Sequence, residues 1–287
     1  MKNNLILSLI FVLTVTGGLF AGPYSTAEDN QTPGAIDPGI PGVMAGGTVN
    51  PIFVAWASTC VDYSPAPGVA SGWTNTTKVL GPVTGSNMDI ISLGDLSSTQ
   101  IAEGIAPGEV TLGFDVSIYN GAGADFAVFE NGFGSGGGLF AELAYVQVST
   151  DGENFVQFPC VSLTDGLVGG YGTIDPTDVY NLAGKHANAY GTSYGTPFDL
   201  EDLAADPLVL SGVVDLDDIN YIKLVDIPGS GDFLDSNEHP IYDAWVTSGS
   251  GGLDLEAVGA IHAVPEPSTI LLLAGLAAAA VCLRRRR

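Results

Sequence analysis

A chain of 287 residues with 32 acidic side chains against eight lysines and arginines carries a formal charge of −24. A surface of that sign repels phosphate backbones, which excludes a nucleic-acid partner, and it attracts cations. The imbalance is steeper in the middle, where 31 acids between Glu28 and Glu256 face only Lys78, Lys185 and Lys223. Glycine, at 39 residues, is nearly twice its usual share of about 7%, and runs of helix formers are scarce, so the composition points to an all-β chain rich in turns. With the two apolar ends set aside, about 215 to 240 residues remain, enough for a single β-sandwich domain.

Met1 to about Ala27 reads as a secretory signal peptide. Lys2 is the basic start, Leu5 to Phe20 the apolar region, and Ser25-Thr26-Ala27 the small-residue cleavage site, with Ala21 competing. Residues 28–50 are rich in Pro, Gly and polar side chains without periodicity, which predicts a flexible linker. The ectodomain is expected over 51–262. It opens with the apolar run Ile52 to Ala57, and period-two alternation predicts strands over Val110 to Phe114 and Phe126 to Phe129. Ala144 to Phe158 predicts a hairpin, with Ala144, Val146 and Val148 on one face and Asp151-Gly152 supplying the turn.

The stretch Leu163 to Thr196 is too long for a simple connection and carries Tyr171, Tyr180, Tyr190 and Tyr194. Thr196 is positioned to cap a short helix over Pro197 to Ala204, with Asp199, Glu201 and Asp202 in its first turns. Ile219 to Ile227 alternates again. The last strand, Leu253 to Ile261, is expected to put Leu253, Leu255 and Ala257 on the core face and Asp254 and Glu256 on the other.

Residues 264–287 end the chain with Val264-Pro265-Glu266-Pro267, an apolar helix over 268–283, and Arg284, Arg285, Arg286 and Arg287. The uncharged part, Ile270 to Leu283, would reach only about 21 Å of a roughly 30 Å hydrocarbon core, and the arginines point its end to the cytoplasm. An ordinary tail anchor would need a longer helix and no Pro-Glu-Pro. The order resembles the PEP-CTERM sorting tail of exosortase-processed bacterial surface proteins. That resemblance implies an exosortase-type processing enzyme as partner, a cytoplasmic-membrane intermediate, and delivery to the cell surface or its extracellular matrix.

Within the ectodomain, Phe53 to Pro67 (FVAWASTCVDYSPAP), Ile91 to Asp95, Gly123 to Asn131 (GADFAVFEN), Val148 to Phe155 (VSTDGENF) and Gly251 to Ile261 (GGLDLEAVGAI) resemble, in this order, cell-surface proteins with a galactose-binding-like jelly-roll domain. The resemblance implies one jelly-roll sandwich between the signal peptide and the sorting tail. That family has no agreed activity. A Gly is common in its pattern where Glu130 stands, so no role is carried onto Glu130.

No catalytic constellation is legible. His186, His239 and His262 are scattered, there is no Gly-x-Ser-x-Gly or His-Glu-x-x-His, and the Gly134 to Gly138 run lacks a following lysine. The acidic segment from Asp226 to Asp254 is the candidate calcium site, with Asp226, Asp243 and Asp254 as ligands, because calcium takes six to eight oxygens from carboxylates and carbonyls. Solvated loop charges are the competing reading. Trp56, in an apolar run, reads as core, whereas Trp245, Tyr190 and Tyr194 are candidates for stacking on a sugar, within a wider set that includes Trp73 and Tyr171. Cys282 belongs to the tail, which leaves Cys60 and Cys160 as the pair that could form a disulfide or stay as two buried thiols.

These readings converge on an exported, non-enzymatic surface or matrix protein associated with exopolysaccharide or biofilm. The alternative is a carbohydrate-binding module with structural calcium, and the third a secreted polysaccharide-active enzyme. Aromatics gathered with polar groups in one concavity would favour the second; two close carboxylates in a deep cleft would favour the third.

Overall fold

The computed structural model describes residues 39–135 and 138–265; the predicted signal peptide, residues 28–38 of the predicted linker and the apolar tail lie outside these described residues. Twelve strands form two antiparallel sheets: β1 (Ile40–Pro41), β2 (Ala55–Trp56), β3 (Thr59–Ser64), β4 (Ile91–Ser92), β5 (Glu109–Ile118), β6 (Phe126–Glu130), β7 (Ala144–Ser149), β8 (Val156–Gln157), β9 (Tyr194–Phe198), β10 (Ile219–Asp226), β11 (Asp254–Ala260) and β12 (Ala263–Pro265). The first sheet runs β1-β9-β6-β11-β2, with β4 also on β11; the second runs β8-β7-β10-β5-β12, with β3 also on β5.

Alternation along the strands sends one set of side chains between the sheets. Phe126, Val128, Leu255, Val258 and Ala260 from the first sheet meet Val110, Leu112, Val146, Val148, Ile222 and Leu224 from the second. Phe126 stacks on Phe198 at 5.3 Å and meets Phe158 edge-on at 5.8 Å. Burying each such side chain contributes about 1.5–3 kcal/mol. The first sheet is covered on its other face too, where Phe53, Val83, Ala127, Phe129 and Ala257 form a second layer. That double burial is why Phe126 to Phe129 is apolar without interruption.

Residues 40–49, expected as linker, are part of this cover. Ile40 and Pro41 pair with Gly195 and Tyr194, and Val43–Met44 forms a small hairpin with Thr48–Val49. A Cβ on Gly42 would come within 2.4 Å of the Phe129 ring, so the strap lies flat on that ring only because the residue is glycine.

The hairpin β7–β8 forms as expected. Asp151 Oδ1 accepts the Glu153 and Asn154 N–H groups, each at 2.8 Å, and Gly152 takes the positive φ of 78°. The segment 163–196, by contrast, is no plain loop. Val161–Ser162 pairs with Val179–Tyr180, and Ile174, Val179, Leu182 and Ala187 pack with Leu139, Leu143, Ile227 and Ile241 into a separate cluster.

The helix expected over 197–204 is displaced. Pro197 belongs to β9, opposite Ala127, because burial of Phe198 against Phe126 outweighs the local helix signal. A short 3₁₀ turn, Leu200–Leu203, follows instead, and its cap is Asp199, which accepts the Glu201 N–H at 3.0 Å.

Cys60 and Cys160 are both free, so the disulfide considered for them is not formed. Cys60 lies on β3 against the central core, whereas Cys160 is buried in the separate cluster, its N–H donating to Ser236 Oγ. Burial pushes the Cys160 thiol up to about 11, so at neutral pH it is protonated and a poor nucleophile. Under denaturing conditions the full chain, which includes Cys282, should titrate three thiols, with Cys160 unreactive until unfolding. A count of one would restore the bridge.

Candidate functional site: buried acids beneath an aromatic cleft

Both sheets terminate in carboxyl groups at one end of the sandwich. β6 ends at Glu130, β10 ends at Asp226 and β11 begins at Asp254. The ladder sets Leu255 opposite Glu130, and the Leu253 N–H donates to Asp226 Oδ1 at 2.7 Å, so the two sheet ends are tied together there. Glu142 lies just before β7, whose Ala144 pairs with Asp226. Asp243 Oδ2 accepts the Leu143 N–H at 2.6 Å, and Asp95 Oδ2 accepts the Thr247 N–H at 2.8 Å.

Glu130, Glu142, Asp226, Asp243 and Asp254 are all between 1% and 4% exposed. Asp254 and Glu256 were expected on an outward polar face; the structure buries both. β11 is an interior strand flanked by β6 and β2, and its second face is roofed by the 84–88 and 186–190 segments. A bulge adds to this. Leu255 pairs with Glu130 but Ala257 with Phe129, so Glu256 is the extra residue and Ala257 turns from the expected core face to the opposite layer.

The fold satisfies some buried carboxylates completely. Glu256 accepts from Thr84 N, Thr84 Oγ1, Gly85 N and Asn188 Nδ2 at 2.6 to 2.9 Å. Asp125 is held by the Gly121 and Leu200 N–H groups and by His262 Nδ1, each at 2.7 Å. The cluster at the sandwich end is different. Glu130 Oε1, Glu142 Oε1, Asp226 Oδ2, Asp254 Oδ1 and Asp95 Oδ1 have no hydrogen-bond partner among the described residues. A buried carboxylate with one oxygen left unpaired is costly to keep charged, so these groups take up protons or call for a cation.

The acidities reflect that cost. Burial, and then the charge of Asp254, holds Glu130 and Glu142 well above the usual range. Burial, with Asp95 beside it, does the same for Asp226; Asp243 is raised by burial and by Asp226. Asp254 is raised by burial alone, against hydrogen bonds from Ser250, Ser92 and Asn131 that favour its charged form. Asp95 is pushed up to about 6 by burial. Raised acidities of this kind, caused by burial beside like charges in or near a cleft, are a recurring property of functional sites.

A cleft of about 370 Å³ opens above Glu142 and Asp254. Its walls carry Trp73, Phe133, Phe140, Tyr171 and Tyr190, with the 246–251 loop closing one side. Phe133 stacks on Phe140 at 4.9 Å and Tyr190 meets Phe133 edge-on at 5.1 Å, while Tyr171 and Tyr190 are 97% and 75% exposed. Of the leading sugar-stacking candidates, Trp245, Tyr190 and Tyr194, only Tyr190 is on this cleft, where Trp73 and Tyr171 of the wider set join it. Trp245 is a structural anchor, its indole N–H donating to the Leu96 carbonyl at 2.8 Å, and Tyr194 lies in β9 beside a different hollow with Pro41 and Met44.

The three aspartates expected to bind calcium are near enough for the charge of Asp254 to act on Asp226 and that of Asp226 on Asp243, and of the three only Asp254 lines the cleft. Glu130, Glu142 and Asp95 join them, none of which belongs to the 226–254 segment. Among the described residues, no three His, Cys, Asp or Glu side chains converge closely enough to hold an ion by themselves. The histidines are elsewhere: His186 meets Thr196, His239 meets Asp235 and His262 meets Asp125.

The second feature of the chain is its end. β12 places Val264 opposite Ser117 and Pro265 opposite Val116, and Pro265 is accommodated because β12 is an edge strand. No helix among the described residues is long and apolar enough to cross a membrane. Residues 263–287 match the PEP-CTERM protein-sorting motif. An all-β ectodomain with this tail defines an exported protein, targeted to exosortase and sorted through the membrane to the cell surface. Comparison with curated proteins and with solved structures finds no match.

Proposed function

We propose that this protein is a non-catalytic glycan-binding component of the cell surface or its polysaccharide matrix, holding a sugar in the aromatic-walled cleft. The observation that carries this reading is the gathering of Trp73, Phe133, Phe140, Tyr171 and Tyr190 around one concavity with a polar floor. A pyranose has an apolar face that stacks on such rings and hydroxyls that seek acceptors. The two-sheet sandwich suits the jelly-roll, galactose-binding-like modules that the ectodomain resembles, and the sorting tail brings the cleft to where extracellular polysaccharide is found.

The test is binding of the full chain, in mild detergent, to matrix polysaccharide and to neutral oligosaccharides. Trp73→Ala and Tyr171→Ala should each weaken binding by about tenfold, corresponding to about 1.4 kcal/mol. Both side chains leave the buried cores untouched, so melting should not change. Equal binding by both variants and the parent would sink the reading. Glu142 and Asp254 on one floor also suit acid–base cleavage of a glycosidic bond. Reducing ends released from the same polysaccharides would favour that enzyme over a binding protein.

A further inference from the structure

We propose that the cleft floor is a calcium site, with Glu142 and Asp254 as direct ligands and the oxygens of Asn131, Ser250 and water completing the shell. Four observations converge on it. Glu142 and Asp254 line the cleft although they are only 4% and 3% exposed. Glu142 Oε1 and Asp254 Oδ1 have no hydrogen-bond partner, whereas equally buried Glu256 and Asp125 are fully engaged by donors. Asn131 and Ser250 line the same cleft and stand beside the Asp254 carboxyl. Counter-charge is scarce, since residues 39–265 contain three lysines and no arginine.

The donor set is hard oxygen without sulfur, which excludes soft metals. Since no three acidic side chains converge on one point, the shell is a mixed one of two carboxylates, neutral oxygens and water. Calcium accepts such irregular sets of six to eight oxygens, whereas magnesium demands near-ideal octahedral geometry and gives up water reluctantly. Glu130, whose Oε1 also lacks a partner, does not line the cleft and is held through its other oxygen to the Gly132 N–H at 2.7 Å. Asp226 and Asp243 do not line the cleft and are tied instead to the Leu253 and Leu143 N–H groups, so they stand outside the proposed shell. The site is independent of what the aromatic walls hold.

The experiment is calorimetric titration of the chelator-treated full chain, in mild detergent, with calcium chloride and with magnesium chloride at equal ionic strength, followed by melting. One saturable calcium per chain is expected, with a melting temperature raised by several degrees in calcium and clearly less in magnesium. Glu142→Gln and Asp254→Asn should each weaken calcium binding at least tenfold, whereas exposed Asp217→Asn should bind like the parent. Folding does not confound the result, because the amide has the shape of the carboxyl group and can never ionise in its buried site, so Glu142→Gln should melt at or above the parent in chelator. Should either variant nevertheless fail to fold, the stoichiometry of the parent decides. No saturable calcium in the parent, equal effects of calcium and magnesium, or parent-like affinity in both variants would overturn the site.

Discussion

In a chelating buffer the protein is expected to lose stability as pH rises from about 4 through neutrality, the reverse of ordinary acid denaturation. The sign follows from Glu130, Glu142, Asp226, Asp243 and Asp254, whose folded acidities are raised by burial and, except for Asp254, by neighbouring carboxylates. Such groups keep their protons in the folded state at a pH where the unfolded chain has released them. Their stabilisation is complete below the unfolded values near 4 and is withdrawn as pH climbs through the folded ones. Asp95 alone, raised from 3.8 to about 6, withdraws about 3 kcal/mol by linkage. For a domain of this size that corresponds to a fall on the order of ten degrees in melting temperature.

Asp151 opposes the trend. Its carboxylate is lowered by the Asn154 backbone and side-chain donors and the Glu153 N–H, so its stabilisation is present above pH 4 and lost on acidification. It is fully exposed, and solvent screening leaves it the weaker influence. Calcium should flatten the profile, because ligation keeps Glu142 and Asp254 ionised without penalty. The measurement is melting temperature against pH, in chelator and in calcium. A chelator curve that climbs steadily from pH 4 to 8 would mean that the buried carboxyls are charged and paired in the folded protein.

Replacing Pro265, Glu266 and Pro267 together by alanine should abolish sorting. The parent is expected to reach the surface without Arg284 to Arg287, while the variant accumulates in the cytoplasmic membrane with all four arginines intact. Folding should be spared. Of the three positions only Pro265 falls in the described structure, at the end of edge strand β12, where it packs into none of the buried clusters. Fractionation and mass spectrometry of the mature C-terminus provide the readout. Surface-located variant with the same C-terminus as the parent would show that this motif is not what the processing enzyme reads.

Features that depend on neighbouring residues were legible in the chain itself. The β7–β8 hairpin follows from alternating valines and one Asp-Gly turn, β10 from period-two alternation, and the sorting tail from a motif, an apolar run and a basic end that are contiguous. The core position of Trp56, packed against Phe53 and Phe129, also followed from its apolar run. The strand expected at Ile52 to Ala57 shrank to Ala55–Trp56, and the helix expected at Pro197 gave way to a strand. In the latter case a local propensity worth less than about 1 kcal/mol per residue competed with burial of Phe198.

Composition and order alone determined that this is an acidic, all-β, exported protein with a sorting tail, because charge, glycine content and contiguous signals require no knowledge of what touches what. The tertiary structure alone decided the site. Asp243 meets Leu143 across 100 positions and Thr247 meets Asp95 across 152. The bulge at Glu256 cannot be seen without the partner strand, because alternation along β11 gives no sign of where its ladder slips. Whether a carboxylate is solvated or buried depends on what roofs it, and the Thr84-Gly85 and Asn188 donors that cover Glu256 come from distant parts of the chain. Acids scattered in sequence thus become, in space, a buried group with unpaired oxygens, two of which, on Glu142 and Asp254, belong to residues lining a cleft walled by aromatics.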